Sequence, residues 1–340
     1  MSDRSDAPTT ASPAERPALA TSDGEAIQQT AAKVQSVRER TLAEIGRVVV
    51  GMESVTEQLL IALLAGGHVL IEGVPGVAKT TLSKAFARTI GGQYQRIQFT
   101  PDLLPSDVTG TYVFDRKANE FVLRQGPIFC QILLADEVNR APAKTQSALL
   151  EAMQEIQVTI EGTTLPLPQP FLVLVTQNPV EQEGVYRLPE AQLDRFLLRV
   201  PMDYPGHEPE VEMLRLHSKP VVEPQQVFTP EGVLELQHQL PRVHAAETLL
   251  HYIIAVAEAS RTHPDVALGA SPRAALCLLR CARARALLAG RHYCTHEDVQ
   301  SVAQGVLSHR LIVRPEAEIE GKQVGEVISE LLASVPVVEK

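Results

Sequence analysis

Short runs of apolar residues recur through the middle of the chain, each separated from the next by an amphipathic or polar stretch. The runs "HVLIE" (68–72), "QRIQF" (95–99), "QILLAD" (131–136), "FLVLVT" (171–176) and "FLLRV" (196–200) have the length and flanks of buried strands. Between the first two, "KTTLSKAFARTI" (79–90) puts its apolar positions on one helical face. Strand–helix alternation of this kind predicts a parallel α/β sheet. Two segments break the alternation. Residues 111–129 read as a hairpin turning at "RKAN", and residues 157–168 as a second one turning at Glu161-Gly162. Both are expected to project from the core.

Outside this region the pattern changes. Residues 1–26 are rich in Ser, Thr, Ala, Pro and acids, lack hydrophobic periodicity, and are expected to form a disordered tail. Helices are expected from about Ile27 to Ile45 and through "TEQLLIALLAG". After Pro205, segments near 207–217, 229–240, 245–262, 271–289, 295–311 and 319–334 all read as helices. The domain reading is therefore a tail (1–26), an α/β core (27–205) and an all-helical domain (206–340).

Composition narrows the function classes. An apolar fraction of 44% over 340 residues is ample for real cores. The net charge of −10, without a long basic run, argues against a duplex-DNA binder, which needs a basic stripe to neutralise phosphates. No signal peptide opens the sequence and no apolar run reaches membrane-spanning length, so a soluble cytoplasmic protein is expected. The four cysteines form no C-x-x-C pair. "HYCTHED" (292–298) reads as a helix start, with Thr295 and Asp298 as a capping box, rather than as a metal site.

The candidate chemistry begins at "GVPGVAKT" (73–80). The phosphate-binding loop pattern is G-x-x-x-x-G-K-[ST]; Gly73, Lys79 and Thr80 fit it, and Ala78 stands where the second glycine belongs. Strand, glycine loop and helix is the context in which backbone N–H groups cradle phosphate oxygens. Gly73 and Gly76 supply backbone freedom on this reading, and Ala78 is tolerated if it has already entered helical geometry. Lys79 brings charge and Thr80 a hydroxyl for Mg²⁺. The run "QILLADE" then places Asp136 and Glu137 at the C-terminal end of a buried strand, where open α/β sheets bind ligands. Asp136 suits Mg²⁺ or its water, and Glu137 suits the general base on an attacking water. "LVLVTQNP" (172–179) ends a further strand in Thr176, Gln177 and Asn178, an amide able to orient that water. Two arginines complete the set: Arg195, just before an apolar strand, and Arg273, in the first turn of a helix capped by Ser271. A cation at a helix N-terminus opposes the macrodipole, so Arg273 sits where an anion would reward it.

With these motifs assembled, the sequence resembles the AAA+ ATPases and, within them, the MoxR family of the clade with an insert in helix 2. "GVPGVAKT", "FTPDLLPSDVTG", "LLADEVNRA", "LLEAMQE", "TQNP", "LPEAQLDRF" and "GASPRA" carry the resemblance, which covers about residues 30–335. It implies an αβα core with strand order 5-1-4-3-2, a helical lid, and hairpin inserts at 111–129 and 157–168. It implies ATP and Mg²⁺ bound by Val50 and Gly51 against adenine and by Gly73, Val74, Pro75, Gly76, Val77, Ala78, Lys79, Thr80 and Thr81 around the phosphates, with Thr80 and Asp136 on the metal. Glu137 becomes the base, Asn178 sensor 1, Arg195 the arginine finger and Arg273 the sensor 2 arginine. The family's ring hexamers and its chaperone work on partners, often von Willebrand factor A domain proteins, are implied in the same way, with no nucleic acid and no membrane insertion. A nucleotide-gated assembly scaffold, a replication motor and a magnesium-chelatase-like subunit remain as alternatives. The acidic balance and missing DNA-binding domain argue against the motor.

Overall fold

The computed structural model describes residues 21–74, 76–177, 186, 188–218 and 222–337. Eleven strands are present among them: β1 (Val69–Gly73), β2 (Tyr94–Gln98), β3 (Gly110–Asp115), β4 (Glu120–Gln125), β5 (Ile132–Asp136), β6 (Gln157–Ile160), β7 (Thr163–Pro166), β8 (Leu172–Gln177), β9 (Leu198–Met202), β10 (Val266–Leu268) and β11 (Ile312–Val313). Five of them form one sheet in the order β2-β5-β8-β1-β9, with every pairing parallel. Counted along the chain within that sheet, the order is the expected 5-1-4-3-2.

The period-2 pattern explains the layers. Val69 and Ile71 of β1, Ile132 and Leu134 of β5, and Leu172 and Leu174 of β8 face one apolar cluster. Leu70, Leu133, Ala135, Val173 and Val175 face the other. The first cluster does not stop at the sheet. It runs through the helix Glu53–Leu64 into lid helices Pro272–Leu288 and His296–Leu307, so the sheet and lid share one continuous core.

Several boundaries differ from the sequence reading. The first helix runs Thr21–Gly46 and so begins inside the segment assigned to the tail; the remainder of that tail lies outside the described residues. The last sheet strand starts at Leu198, because Phe196 and Leu197 are taken up in the turn that buries them. The C-terminal domain is not wholly helical: β10 and β11 form an antiparallel ribbon within it.

Both hairpins form. β3 pairs with β4 around the Arg116–Asn119 turn, and β6 with β7 around Glu161-Gly162, both of which have positive φ. They differ in how far they project. In the second hairpin Val158 and Ile160 are 5% exposed and belong to the core. In the first, Tyr112 and Leu123 pack inward, while Phe114 and Phe121 stand 50% and 69% exposed. All four cysteines are buried and unbonded.

Candidate functional site

The phosphate loop joins β1 to the helix Lys79–Ile90. Gly73 is needed for space, not for backbone freedom: its φ is not positive, and a Cβ there would lie 2.2 Å from the Met202 carbonyl oxygen on β9. Gly76 has φ +88 with open space around it. Ala78 corrects the sequence reading. It has not entered helical geometry but is left-handed, with φ 61 and ψ 22, and stands as the helix N-cap. An alanine there costs roughly 1–2 kcal/mol of backbone strain. Val77 is buried in the core and pegs the loop down; Val74 and Ala78 pack partly against the same cluster. Pro75 lies outside the described residues.

No side chain caps this helix and no acid lies in its first turn. Its leading N–H groups are therefore left for an anion. Thr80 and Thr81 are exposed in that first turn. The Lys79 ammonium donates to the Gly73 carbonyl (2.6 Å). Burial pulls its pKa below the usual lysine value, against the opposing pull of the Asp136 and Glu137 carboxylates. Gly51 (φ +75) abuts Pro205 and Pro209 at the start of the helix His207–His217, which places Val50 and Gly51 at the seam between core and lid.

Asp136 and Glu137 leave the C-terminal end of β5 as expected, and β8 holds them. The Thr176 hydroxyl donates to Asp136 Oδ1 (2.5 Å) and accepts from the Glu137 N–H (2.9 Å). Glu137 itself is left-handed, with φ 56 and ψ 48. Backbone strain of this kind, about 1–3 kcal/mol, persists only where the surroundings fix it. Gln98 Nε2 (2.7 Å) and Arg140 Nη1 (2.9 Å) both donate to Glu137 Oε2. Arg96 Nη2 donates to Asp136 Oδ2 (2.6 Å). Sequence reasoning missed Arg96, Gln98 and Arg140. The available signal was the alternation in "YQRIQ", which puts Arg96 and Gln98 on one face of a strand in register with β5.

The donor set fits a hard divalent cation: a carboxylate oxygen of Asp136 and the exposed hydroxyl of Thr80 are the oxygen ligands Mg²⁺ takes beside nucleotide phosphates. Asn178 lies outside the described residues.

The two arginines are not brought to this loop. Arg195 and Arg273 line a separate cavity of about 430 Å³ together with His68, Asp194 and Arg280. His68, Phe171 and Leu197, which also line it, immediately precede β1, β8 and β9. The cavity is thus at the N-terminal ends of the strands, whereas Lys79, Asp136 and Glu137 are at the C-terminal ends. One strand length, roughly 16 Å, separates the two groups. Arg195 Nη1 donates to the Leu150 carbonyl (3.0 Å), and Arg273 Nε lies 4.0 Å from Asp194 Oδ2. His68 is buried: Nε2 donates to the Met153 carbonyl (2.8 Å) and Nδ1 accepts from the Val173 N–H (3.1 Å). Burial pulls its pKa down to about 4.

Among the described residues, one cluster has metal-ligand proximity elsewhere: His263, Asp265 and Glu330. Lys322 Nζ already bridges its two carboxylates, 2.5 Å from Asp265 and 2.8 Å from Glu330, so it reads as a lid tether. At "HYCTHED", Thr295 and Asp298 form the expected capping box.

Comparison with known proteins agrees with this geometry. The model for the ATPase family associated with various cellular activities (AAA) matches residues 68–198, and that for the AAA lid domain matches residues 258–331. The chain is 47% identical to the uncharacterized protein YeaC of Bacillus subtilis, over 88% of this chain and 94% of that one. It is 44% identical to the chaperone MoxR1 of Mycobacterium tuberculosis, over 90% and 83%. Protein MoxR of Methylorubrum extorquens is 31% identical over 86% and 93%. The crystal structure of a candidate ATPase from Cytophaga hutchinsonii superposes with a TM-score of 0.87 at 42% identity, covering 93% of this chain and 99% of that one. Motifs, sheet order and relatives converge: this chain belongs to the MoxR family of AAA+ ATPases.

Proposed function

We propose that this ATPase works as a cytoplasmic ring, a homohexamer, in which each subunit binds Mg²⁺-ATP on its own phosphate loop and receives Arg195 and Arg273 from its neighbour. The observation that carries this reading is the separation of the base from the arginines. Glu137 and Lys79 lie at the C-terminal ends of the sheet strands and both arginines at the N-terminal ends, so a single subunit cannot surround one γ-phosphate with all of them.

The residues have distinct tasks. Lys79 and the N–H groups leading into its helix hold the phosphates; Thr80 and Asp136 hold Mg²⁺, which when bound neutralises phosphate charge. Glu137, oriented by Gln98 and Arg140, accepts the proton of the attacking water, and Asn178 steers that water. The neighbour's arginines stabilise charge on the transferred phosphoryl group. A base held by two donors at a fixed point supports turnover over a passive nucleotide-gated scaffold. The cycle drives remodelling of partner proteins, of which von Willebrand factor A domain proteins fit the family resemblance, with the first hairpin as contact surface. The acidic balance of the chain speaks against duplex DNA as the substrate.

A mixing experiment tests the ring. Arg195→Ala and Glu137→Gln are each expected to bind ATP and to hydrolyse it poorly, by about 10²–10⁴-fold for the lost base. Mixed, some interfaces pair an intact Glu137 with an intact Arg195, and activity partly returns. Per-subunit activity that stays flat on dilution to a monomer, with nothing restored by mixing, refutes the proposal.

A further inference from the structure

The cavity that presents Arg195 and Arg273 holds three arginines and, among the described residues lining it, a single carboxylate, Asp194. That carboxylate is itself held from the lid. Arg310, which follows the helix His296–Leu307, has a side chain only 3% exposed. Its guanidinium is spent on the turn leading into β9: Nε donates to Asp194 Oδ1 (2.7 Å), Nη1 to the Leu197 carbonyl (3.2 Å), and Nη2 to the carbonyls of Phe196 (2.5 Å) and Asp194 (3.3 Å). Nη1 also bonds the Val306 carbonyl, and Nη2 reaches Cys277 Sγ at 3.5 Å. Every donor of the fork thus has a partner. Asp194 turns its other oxygen to Arg273, and the next residue in the chain is Arg195.

We infer that Asp194, clamped by Arg310, is the positioning residue that sets Arg195 and Arg273 against the neighbouring subunit's nucleotide, so that the lid of one subunit governs hydrolysis in the next. This rests on the in-trans reading above. The geometry supplies the reason. Two cations brought close together repel each other, and the Asp194 carboxylate between Arg310 and Arg273 fixes their spacing, while its backbone carries Arg195 as the next residue. Arg310 and Arg273 both come from the lid, while Asp194 and Arg195 come from the core, so lid position reaches Arg273 through the Asp194 carboxylate and Arg195 through the backbone carbonyls of Asp194 and Phe196 that Arg310 holds on either side of it.

Asp194→Asn separates positioning from folding. The amide oxygen still accepts from Arg310, but the amide N–H₂ turned towards Arg273 puts donor against donor. ATP affinity and KM are expected to stay at the wild-type value. A small displacement of reacting groups typically costs up to 10²-fold, so kcat is expected to fall about 10- to 100-fold. The decisive readout is mixing: Asp194→Asn with Glu137→Gln regains activity, as Arg195→Ala with Glu137→Gln does, because the defect is in what the subunit gives its neighbour. Arg310→Lys keeps a charge near Asp194, drops the carbonyl bonds to Phe196 and Leu197, and is expected to show the same rescue if Asp194→Asn does not fold. Wild-type kcat in these variants, or a loss that mixing fails to repair while the Arg195→Ala mixture recovers, overturns the inference. A dead Arg195→Ala mixture overturns the in-trans reading, and this inference with it.

Discussion

Gly73→Ala asks whether the first glycine of the phosphate loop is there for flexibility or for space. Its backbone is in a region any residue adopts, so flexibility predicts a mild effect. The structure predicts a severe one. The new Cβ lies 2.2 Å from the Met202 carbonyl oxygen and 3.1 Å from the Met202 carbonyl carbon. The obstruction is backbone, so no rotamer relieves it, and β9 must retreat from β1 by about 1 Å in a core that resists expansion. Overpacking costs about 1–3 kcal/mol. The β1–β9 ladder is broken beside it, at about 1 kcal/mol for each bond lost. The sum is roughly 3–4 kcal/mol, which for a chain of this size lowers Tm by about 4–6 °C. Because β9 begins just after Arg195, ATPase activity should fall with it. Thermal unfolding followed by circular dichroism is the assay, with Gly76→Ala as the companion. That site has φ +88 and nothing within 4 Å, so its cost is strain alone, about 1–2 kcal/mol. An unchanged Tm for Gly73→Ala, or a greater loss for Gly76→Ala, refutes the reasoning.

Two more expectations concern pH and the hairpin. The folded pKa of His68 is about 4, below the ordinary 6.5, so the fold favours the neutral ring; its contribution is complete above pH 6.5 and is lost as pH falls towards 4, by about 3 kcal/mol in all. His68→Gln retains a donor for Met153 and an acceptor for Val173, so its urea midpoint should decline less between pH 7 and pH 4 than wild type; equal declines would assign the acid sensitivity elsewhere. Phe114 and Phe121 pack edge to face (5.3 Å) on the exposed side of the first hairpin. Changing both to Ser should leave basal ATPase and Tm near wild type and weaken retention of partner proteins by a Glu137→Gln trap; full retention would move the contact surface away from this hairpin.

Much of this was legible in the chain because it is local. Five strands, their parallel order through the resemblance, both hairpin turns and the Ser271 and Thr295 caps follow from period, length and turn chemistry. What stayed hidden depends on contacts distant in sequence. Ala78 reads as helical by its neighbours, yet the loop must turn left-handed to aim its N–H groups, and the surrounding packing of Val77 imposes the strain. Arg96 and Gln98 gain meaning only once β2 lies beside β5 in register. Arg310, in "LSHRLIV", looks like an ordinary surface arginine, and only docking of the lid against the turn before β9 buries it on Asp194. Residue type singled out Arg195 and Arg273, but not that they line one cavity away from their own phosphate loop.

The buried cysteines have a consequence for how the proposed ring can be watched. Thiol reagents attack the thiolate, and burial pushes the Cys130 and Cys294 thiols up to about 12 and Cys281 higher still. Cys277 is 6% exposed at the wall of the cavity that holds Arg195 and Arg273. Three of the four thiols are therefore poor targets for maleimide chemistry, and the chain has no tryptophan. A fluorophore on one cysteine introduced at an exposed hairpin position such as Lys117, or a lone tryptophan set beside the nucleotide, would report against little background. Distances across the proposed subunit boundaries can then be followed through the ATP cycle in the native sequence, with none of its four cysteines removed.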